Sequence, residues 1–184
     1  MMGILNCVAS FDVGKYNFAW YVEMTYDNGS IFVVNVCLLS VINRKQLFQK
    51  LNEKKCIWDI CSHFIIENQR LYKHINNINM IQIAESTLSW FIIHYPDKIV
   101  RYINPSMKIK FYTKEKMNYR SRKKYTTNIA YNYFREKNIL NMIKLYENKT
   151  LKLDDISDAC VQCIVYKNIY LYNNVSGRIC RKHD

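Results

Sequence analysis

The sequence predicts an α/β fold, a mixed sheet with helices on both faces. Three short apolar runs separated by turn signals fill the start of the chain, two more apolar runs each follow a segment with helical spacing, and the end is helical. Strands that meander and then alternate with helices build sheets of this kind. Of the 184 residues 49% are apolar, with only 4 Gly and 2 Pro. Such a chain buries a proper core and is neither disordered nor a glycine-rich nucleotide cradle. One domain over residues 1–184 is expected, with a basic tail from about 173, because no linker or repeat divides it.

Each element has its own signal. Ile4 to Phe11 is almost wholly apolar, the pattern of a strand buried on both faces in mid-sheet. Gly14 to Asn17 supplies a turn, and Phe18 to Met24 resumes as its hairpin partner. Asp27-Asn28-Gly29-Ser30 turns the chain into a third strand, Ile31 to Leu39. Asn43 caps a helix carrying Leu47, Leu51 and Trp58 on one face. A buried strand from His63 ends at Glu67. Met80, Ala84, Leu88, Phe91 and Ile92 then follow helical spacing until Pro96-Asp97, and Ile99 to Ile103 is a fifth strand stopped by Asn104-Pro105. Helices are expected from near Ser121 to about Lys137, over Ile139 to Tyr146, and from about Asp155 to Leu171.

A net charge of +12 and a pI of about 9.3 favour nucleic acid or an anionic membrane surface as partner. No apolar run reaches membrane-spanning length, and Asp12 interrupts the N-terminal one too early for a secretory signal. With 7 cysteines and no such signal, a reducing intracellular setting is expected. Cys160 and Cys163 form a C-x-x-C without further zinc ligands, which suits buried small hydrophobes. His63, His74, His94 and His183 have no ligand spacing.

Four carboxylates stand at element ends: Asp12, Glu67, Asp155 and Asp158. The last two are three apart on a helix and so share a face. Asp154 is better read as a helix N-terminal acid favoured by the macrodipole. Clustered acids repel unless cations lie between them, and hard oxygen ligands suit Mg²⁺, with Mn²⁺ as substitute. Two such ions roughly 4 Å apart serve in-line displacement at phosphorus. A basic protein with this arrangement is expected to be a nuclease or strand-transfer enzyme.

Phe11-Asp12-Val13-Gly14 with Asn17-Phe18-Ala19-Trp20, then Ile65-Ile66-Glu67-Asn68-Gln69, then Asp155-Ile156-Ser157-Asp158-Ala159, in that order and spacing, resemble the motifs of the poxvirus Holliday-junction resolvases, RuvC-like members of the ribonuclease-H-like superfamily. The resemblance implies a ribonuclease-H-like fold, with three antiparallel strands followed by two parallel ones. It implies a homodimer that resolves four-way DNA junctions by paired symmetrical nicks, at a viral replication site in the host cytoplasm. Four-way and branched DNA and a second copy are the implied partners, with no membrane and no small-molecule substrate. The family carries an active-site lysine upstream of the last acidic pair. By position this is Lys123 or Lys124, Lys110 being a weaker match. The segment from Lys108 to Lys124 fills the role of a DNA-contacting loop and helix start. In it Lys108, Lys110, Lys114, Lys116, Arg120 and Arg122 are expected to meet phosphates, and Phe111, Tyr112 or Tyr119 to wedge or stack at unpaired bases.

Three other readings compete with this one. An actin-like or sugar-kinase ATPase also has an Asp beside a phosphate turn, but needs two lobes and more glycines. A DNA-binding module without catalysis would bind junctions and not cut them. A ribonuclease H would prefer hybrids to junctions. The apolar face of the helix around Ala84 to Ile92 is the expected dimer surface.

Overall fold

The structure, a computed structural model, describes residues 3–14, 17–40, 43–69, 77–148 and 153–172. Lys15 and Tyr16 of the first turn, His74, and the basic tail with His183 lie outside the described residues. Strands β1 (Ile4–Val13), β2 (Phe18–Tyr26), β3 (Ile31–Leu39), β4 (His63–Glu67) and β5 (Ile99–Ile103) form one sheet in the order β3-β2-β1-β4-β5. β1, β2 and β3 pair antiparallel, while β4 runs parallel to β1 and β5 parallel to β4. The expected mixed sheet is therefore present, with the first strand at its centre.

Alternation along the strands sorts side chains onto two faces. Cys7, Ala9, Phe11 and Val13 of β1, with Trp20, Val22 and Met24 of β2 and Phe64 and Ile66 of β4, pack against α1 (Arg44–Glu53), α2 (Lys55–Ile60) and α3 (Ile78–His94). This face is aromatic: Phe11 lies 5.6 Å from Trp58 and 5.1 Å from Phe91, and Phe64 stacks on Phe91 at 4.1 Å. Fully burying each such ring contributes on the order of 1.5–3 kcal/mol. The opposite face, with Val8, Tyr21, Val33, Ile65 and Ile103, is covered by α5 (Tyr119–Glu136), α6 (Leu140–Asn148) and α7 (Leu153–Tyr166). Cys160 and Cys163 are fully buried there, as small apolar groups.

Several boundaries differ from the expectation, each for a local reason. Asn43 does cap α1, its side chain accepting from the Gln46 amide at 3.0 Å. The helix expected to include Trp58 breaks at Lys54, whose amide turns back to Leu51 O at 3.2 Å. The Trp58 indole donates to that same carbonyl at 2.8 Å, which places the ring in the core. α5 begins at Tyr119, ahead of Ser121, because the Asn118 side chain caps it. It ends in a left-handed Asn138 (φ 55°), with Ile139 N bonded to Phe134 O at 2.9 Å, a Schellman-type stop. On α3, Ala84, Trp90 and Phe91 of the expected dimer surface turn into this chain's own core, whereas Ile78, Ile92 and Ile93 are exposed. No helix among the described residues is long and apolar enough to cross a membrane.

The expected final helix also changes character. After Tyr166 it widens into a π-helical stretch, Lys167–Tyr172, whose first residue meets a buried acid. Glu23 of β2 is fully enclosed and accepts from Lys167 Nζ, from the Tyr21 hydroxyl at 2.5 Å and from the Tyr133 hydroxyl at 2.9 Å. Lys167 also donates to Thr25 Oγ1 at 3.1 Å. This network ties β2 to α5 and to the end of α7. Lys167→Met leaves a charged Glu23 enclosed, and it is expected to lower stability by roughly 3–5 kcal/mol. Adding Glu23→Gln should return much of that loss. Urea denaturation of both variants measures this, and equal losses in single and double variants would exclude the unpaired charge as the cause.

Candidate active site

β1 and β4 lie side by side and parallel, with Phe11 paired to Ile66. Asp12 and Glu67 come one residue later on each strand. Alternation turns them to the face opposite Phe11 and Ile66, which is the face α7 covers. α7 crosses there, held down by the Gln162 amide, which donates to Phe11 O at 3.2 Å and Ile65 O at 3.4 Å. Its first turns bring Asp155 and Asp158 over the ends of the two strands. Both are nearly buried, at 6% and 8% exposure. All four acids line one cleft of about 490 Å³, with Asn17, Gln69, Lys108, Tyr119, Arg122 and Lys123 also in its walls.

Two lysines bind the acids together. Lys108 Nζ stands 3.1 Å from Asp12 Oδ1, 3.1 Å from Glu67 Oε1 and 3.9 Å from Asp158 Oδ1. Lys123 Nζ stands 2.5 Å from Asp158 Oδ2, 3.1 Å from Asp155 Oδ1 and 3.7 Å from Asp154 Oδ2. Asp158 thus bridges both cations, and Asp154 at the start of α7 also faces Lys123. Burial opposes the charge on Lys108, but Asp12, Glu67 and Asp158 outweigh it and hold its pKa above the usual lysine value. Lys123 is held up in the same way by Asp158, Asp12 and Asp155. Burial pushes the Asp12 carboxyl well above the usual carboxylate range; Lys108 pulls it down, while Glu67 and Asp158 add to the rise.

Neutral amides orient the acids. Asn17 Nδ2 donates to Asp155 Oδ2 at 2.9 Å, and Gln69 Nε2 donates to Glu67 Oε2 at 3.2 Å and to Val13 O at 3.0 Å. Gly14 is needed for the first of these: Gly14 N bonds Asn17 O at 2.9 Å, and a Cβ on Gly14 would sit 2.9 Å from that same oxygen. Asn17 and Gln69 belong to the sequence motifs, yet their contact with the acids was not readable from order and spacing.

The segment from Lys108 to Lys124 divides into buried and exposed parts. Lys108 does not belong to an exposed phosphate-binding loop; this corrects the sequence expectation. It lies on a short helix, α4 (Met107–Lys110), set by Asn104, whose side chain accepts from the Ser106 amide at 3.0 Å. Met107, half-buried, packs against the core and Lys108, 5% exposed, faces the acids. Lys110, Lys114, Lys116, Arg120, Arg122 and Lys124 are exposed, as are Phe111, Tyr112 and Tyr119. Of the two lysines the sequence left open, Lys123 enters the cluster and Lys124 points outward.

Among the described residues, no three His, Cys, Asp or Glu side chains group closely enough to hold an ion as they stand. The carboxylates meet around ammonium groups instead. The donor chemistry nonetheless fits a hard divalent cation: among the described residues the cleft walls hold four carboxylates and the amide side chains of Asn17, Asn68 and Gln69, and no cysteine or histidine.

No protein-family model and no curated protein matches the sequence. Solved structures do match the fold. Fowlpox virus resolvase in complex with its Holliday junction DNA substrate aligns over 89% of this chain and 99% of its own, at a TM-score of 0.56 and 19% identity. The fold is that of the RuvC-like Holliday junction resolvases. Thermus thermophilus RuvC in complex with Holliday junction substrate covers 90% of this chain and 96% of its own, at a TM-score of 0.55 and 10% identity. The yeast mitochondrial Holliday junction resolvase covers 86% and 76%, at a TM-score of 0.58 and 14% identity.

The positions of Lys123 and Lys124 within this resolvase-like fold give a direct test. Lys123→Met removes the ammonium that pairs with both Asp155 and Asp158 and is expected to lower stability by roughly 1–3 kcal/mol. Lys124→Met, on the exposed side of α5, should stay within about 0.5 kcal/mol of the parent. Chemical denaturation of the pair distinguishes them, and equal losses would place Lys123 outside the cluster.

Proposed function

We propose that this protein is a structure-selective endodeoxyribonuclease that resolves four-way DNA junctions by paired symmetrical nicks, with Mg²⁺ as cofactor. One observation carries the reading. Four carboxylates in the cleft and Asp154 at its edge outnumber Lys108, Lys123 and Arg122, within a protein of net charge +12. The basic surface attracts a polyanion, yet the cleft at its centre repels phosphate unless further cations enter. The fold shared with resolvases solved together with Holliday junction DNA supports a junction as the polyanion.

In this reading Asp12, Glu67, Asp155 and Asp158 hold two Mg²⁺ ions, with Mn²⁺ as substitute. When bound, the ions supply hydroxide at neutral pH and stabilise the departing 3′ oxygen. Asn17 and Gln69 keep Asp155 and Glu67 oriented. Lys123 faces the reacting phosphate and stabilises charge that grows there. Lys110, Lys114, Lys116, Arg120, Arg122 and Lys124 neutralise backbone phosphates, which fixes position without reading sequence. Tyr119, at the cleft wall and exposed, offers a flat face to an unpaired base. A C₂ homodimer would present two such clefts to the two strands of like polarity. We further propose that the junctions arise during viral genome replication in the host cytoplasm.

The decisive experiment incubates the 184-residue chain with a labelled four-way junction, with a matched RNA–DNA hybrid as control, with and without Mg²⁺. Paired nicks in the junction alone, and only with Mg²⁺, are expected. Asp12→Asn, Glu67→Gln, Asp155→Asn and Asp158→Asn should each abolish cutting while retaining junction binding. A variant cutting at the parent rate would remove its residue from the site, and cutting confined to the hybrid would replace the proposal with a ribonuclease H activity. Lys123→Ala should lose on the order of 10²–10³ in rate. Lys124→Ala should instead flatten the salt dependence of binding by about one unit.

A second test addresses the paired nicks. A mixed dimer of parent and Asp12→Asn chains, acting on a cruciform plasmid, should give nicked circles where the parent gives linear DNA. Efficient linearisation by the mixed dimer would overturn the two-site mechanism.

A further inference from the structure

We propose that Lys108 is an internal counter-ion guarding the Asp12–Glu67 end of the cleft, so that a divalent cation binds there only by displacing its ammonium group. The proposal rests on the metal-dependent reading above and adds to it the residue that sets the affinity for the ion.

Three observations support it. Lys108 is a buried lysine, its side chain 7% exposed, and its ion-pair partners Asp12, Glu67 and Asp158 are all proposed ligands. The ammonium takes Asp12 Oδ1 and Glu67 Oε1, each at 3.1 Å. A carboxylate oxygen coordinating Mg²⁺ lies about 2.1 Å from the metal. An ammonium still bound to that oxygen would then stand against a double positive charge in a poorly hydrated site, so ion and lysine exclude one another. Second, the backbone beneath Lys108 is held: the Asn104 turn sets α4, and the half-buried Met107 packs against the core. Exchange therefore falls to the lysine stem, a flexible four-carbon chain bearing a compact charge. Third, the same arrangement explains why the acids stand around ammonium groups and not around a common point.

The consequence is a trade between assembly and affinity. Asp12, Glu67 and Asp158 would repel one another across the ends of β1, β4 and α7 in a protein lacking both ion and lysine. Lys108 keeps them together, and by holding the same oxygens it weakens their hold on a divalent cation. Once displaced, the ammonium still faces the cleft, where substrate phosphate is the available anion.

The test uses the parent chain, Lys108→Met, which keeps a stem of similar length without charge, and Lys108→Gln, which stays polar if the Met variant does not fold. Each is titrated with Mn²⁺ by calorimetry and by the loss of the free-ion paramagnetic resonance signal. Each is also melted in chelator and in saturating Mn²⁺. The expected result is Mn²⁺ affinity at least tenfold tighter in the variants than in the parent. Their Tm in chelator should fall by roughly 6–15 °C and be restored by Mn²⁺. A packing defect would lower Tm without tightening the ion or being rescued by it. Affinities within twofold of the parent, with no rescue of Tm, would overturn the proposal and leave the metal-dependent reading standing. Failure of the parent and both variants to bind Mn²⁺ would instead overturn that reading, and the proposal with it.

Discussion

A carboxylate buried at the end of a central strand needs a cation, and much of this molecule is arranged to supply one. Asp12 sits at 5% exposure on β1, flanked by Glu67 and overlain by α7 acids. Enclosing like charges this way is strongly unfavourable unless opposite charge enters with them. Lys108 and Lys123 provide it from two different elements, one on each side of Asp158. The helices that carry those lysines are thereby fixed in position relative to the sheet by the electrostatics of the cluster as well as by packing.

The sheet topology explains why the cluster forms at that edge. β1 and β4 are parallel neighbours, so their C-terminal ends coincide and Asp12 and Glu67 arrive together. β2 and β3 run the other way from β1 and back, and contribute no acid to that end. Instead β2 contributes Glu23 on the same face, farther down the sheet and paired with Val8. Glu23 with Lys167, and the cleft acids with their lysines, are thus two charge clusters beneath one layer of helices. The first anchors the end of α7 and the second its start. The aromatic face on the other side of the sheet has no such charge cluster among the described residues, and α1, α2 and α3 pack there around Phe11, Trp58 and Phe91.

Most of the fold was legible because period and punctuation determine it. The third strand, Ile31–Leu39, and the fifth, Ile99–Ile103, have the expected limits, each bounded by strong turn signals. What escaped were features set by a partner distant in sequence. The break at Lys54 follows from an indole seeking a carbonyl, and the widening at Lys167 accompanies its contact with Glu23, 144 positions away. The acids of the candidate site were legible from their places at element ends. Lys108 was not, since a lysine in a run of lysines reads as solvated; only the turn at Asn104 and the anchoring of Met107 direct it inward. The choice between Lys123 and Lys124 had the same obstacle. Adjacent helical residues point about 100° apart, and the sequence does not say which one faces α7.

The two lysines of the cleft are not equivalent, and the difference follows from their supports. Lys123 rides on a helix of 18 residues whose exposed edge carries Arg120, Arg122 and Lys124, so its charge is continuous with the surface that would follow a DNA backbone. Its side chain is 20% exposed, and its ion-pair partners among the described residues are acids of α7. Lys108 is enclosed, belongs to no charged surface, and reaches acids on both strands and on α7. A half-buried cation beside a charged surface can turn from its acids to a phosphate bound along that surface. An enclosed cation can only exchange one set of oxygens for another. The geometry therefore separates a half-buried lysine beside a charged surface from a lysine enclosed among acids, although both carry the same charge.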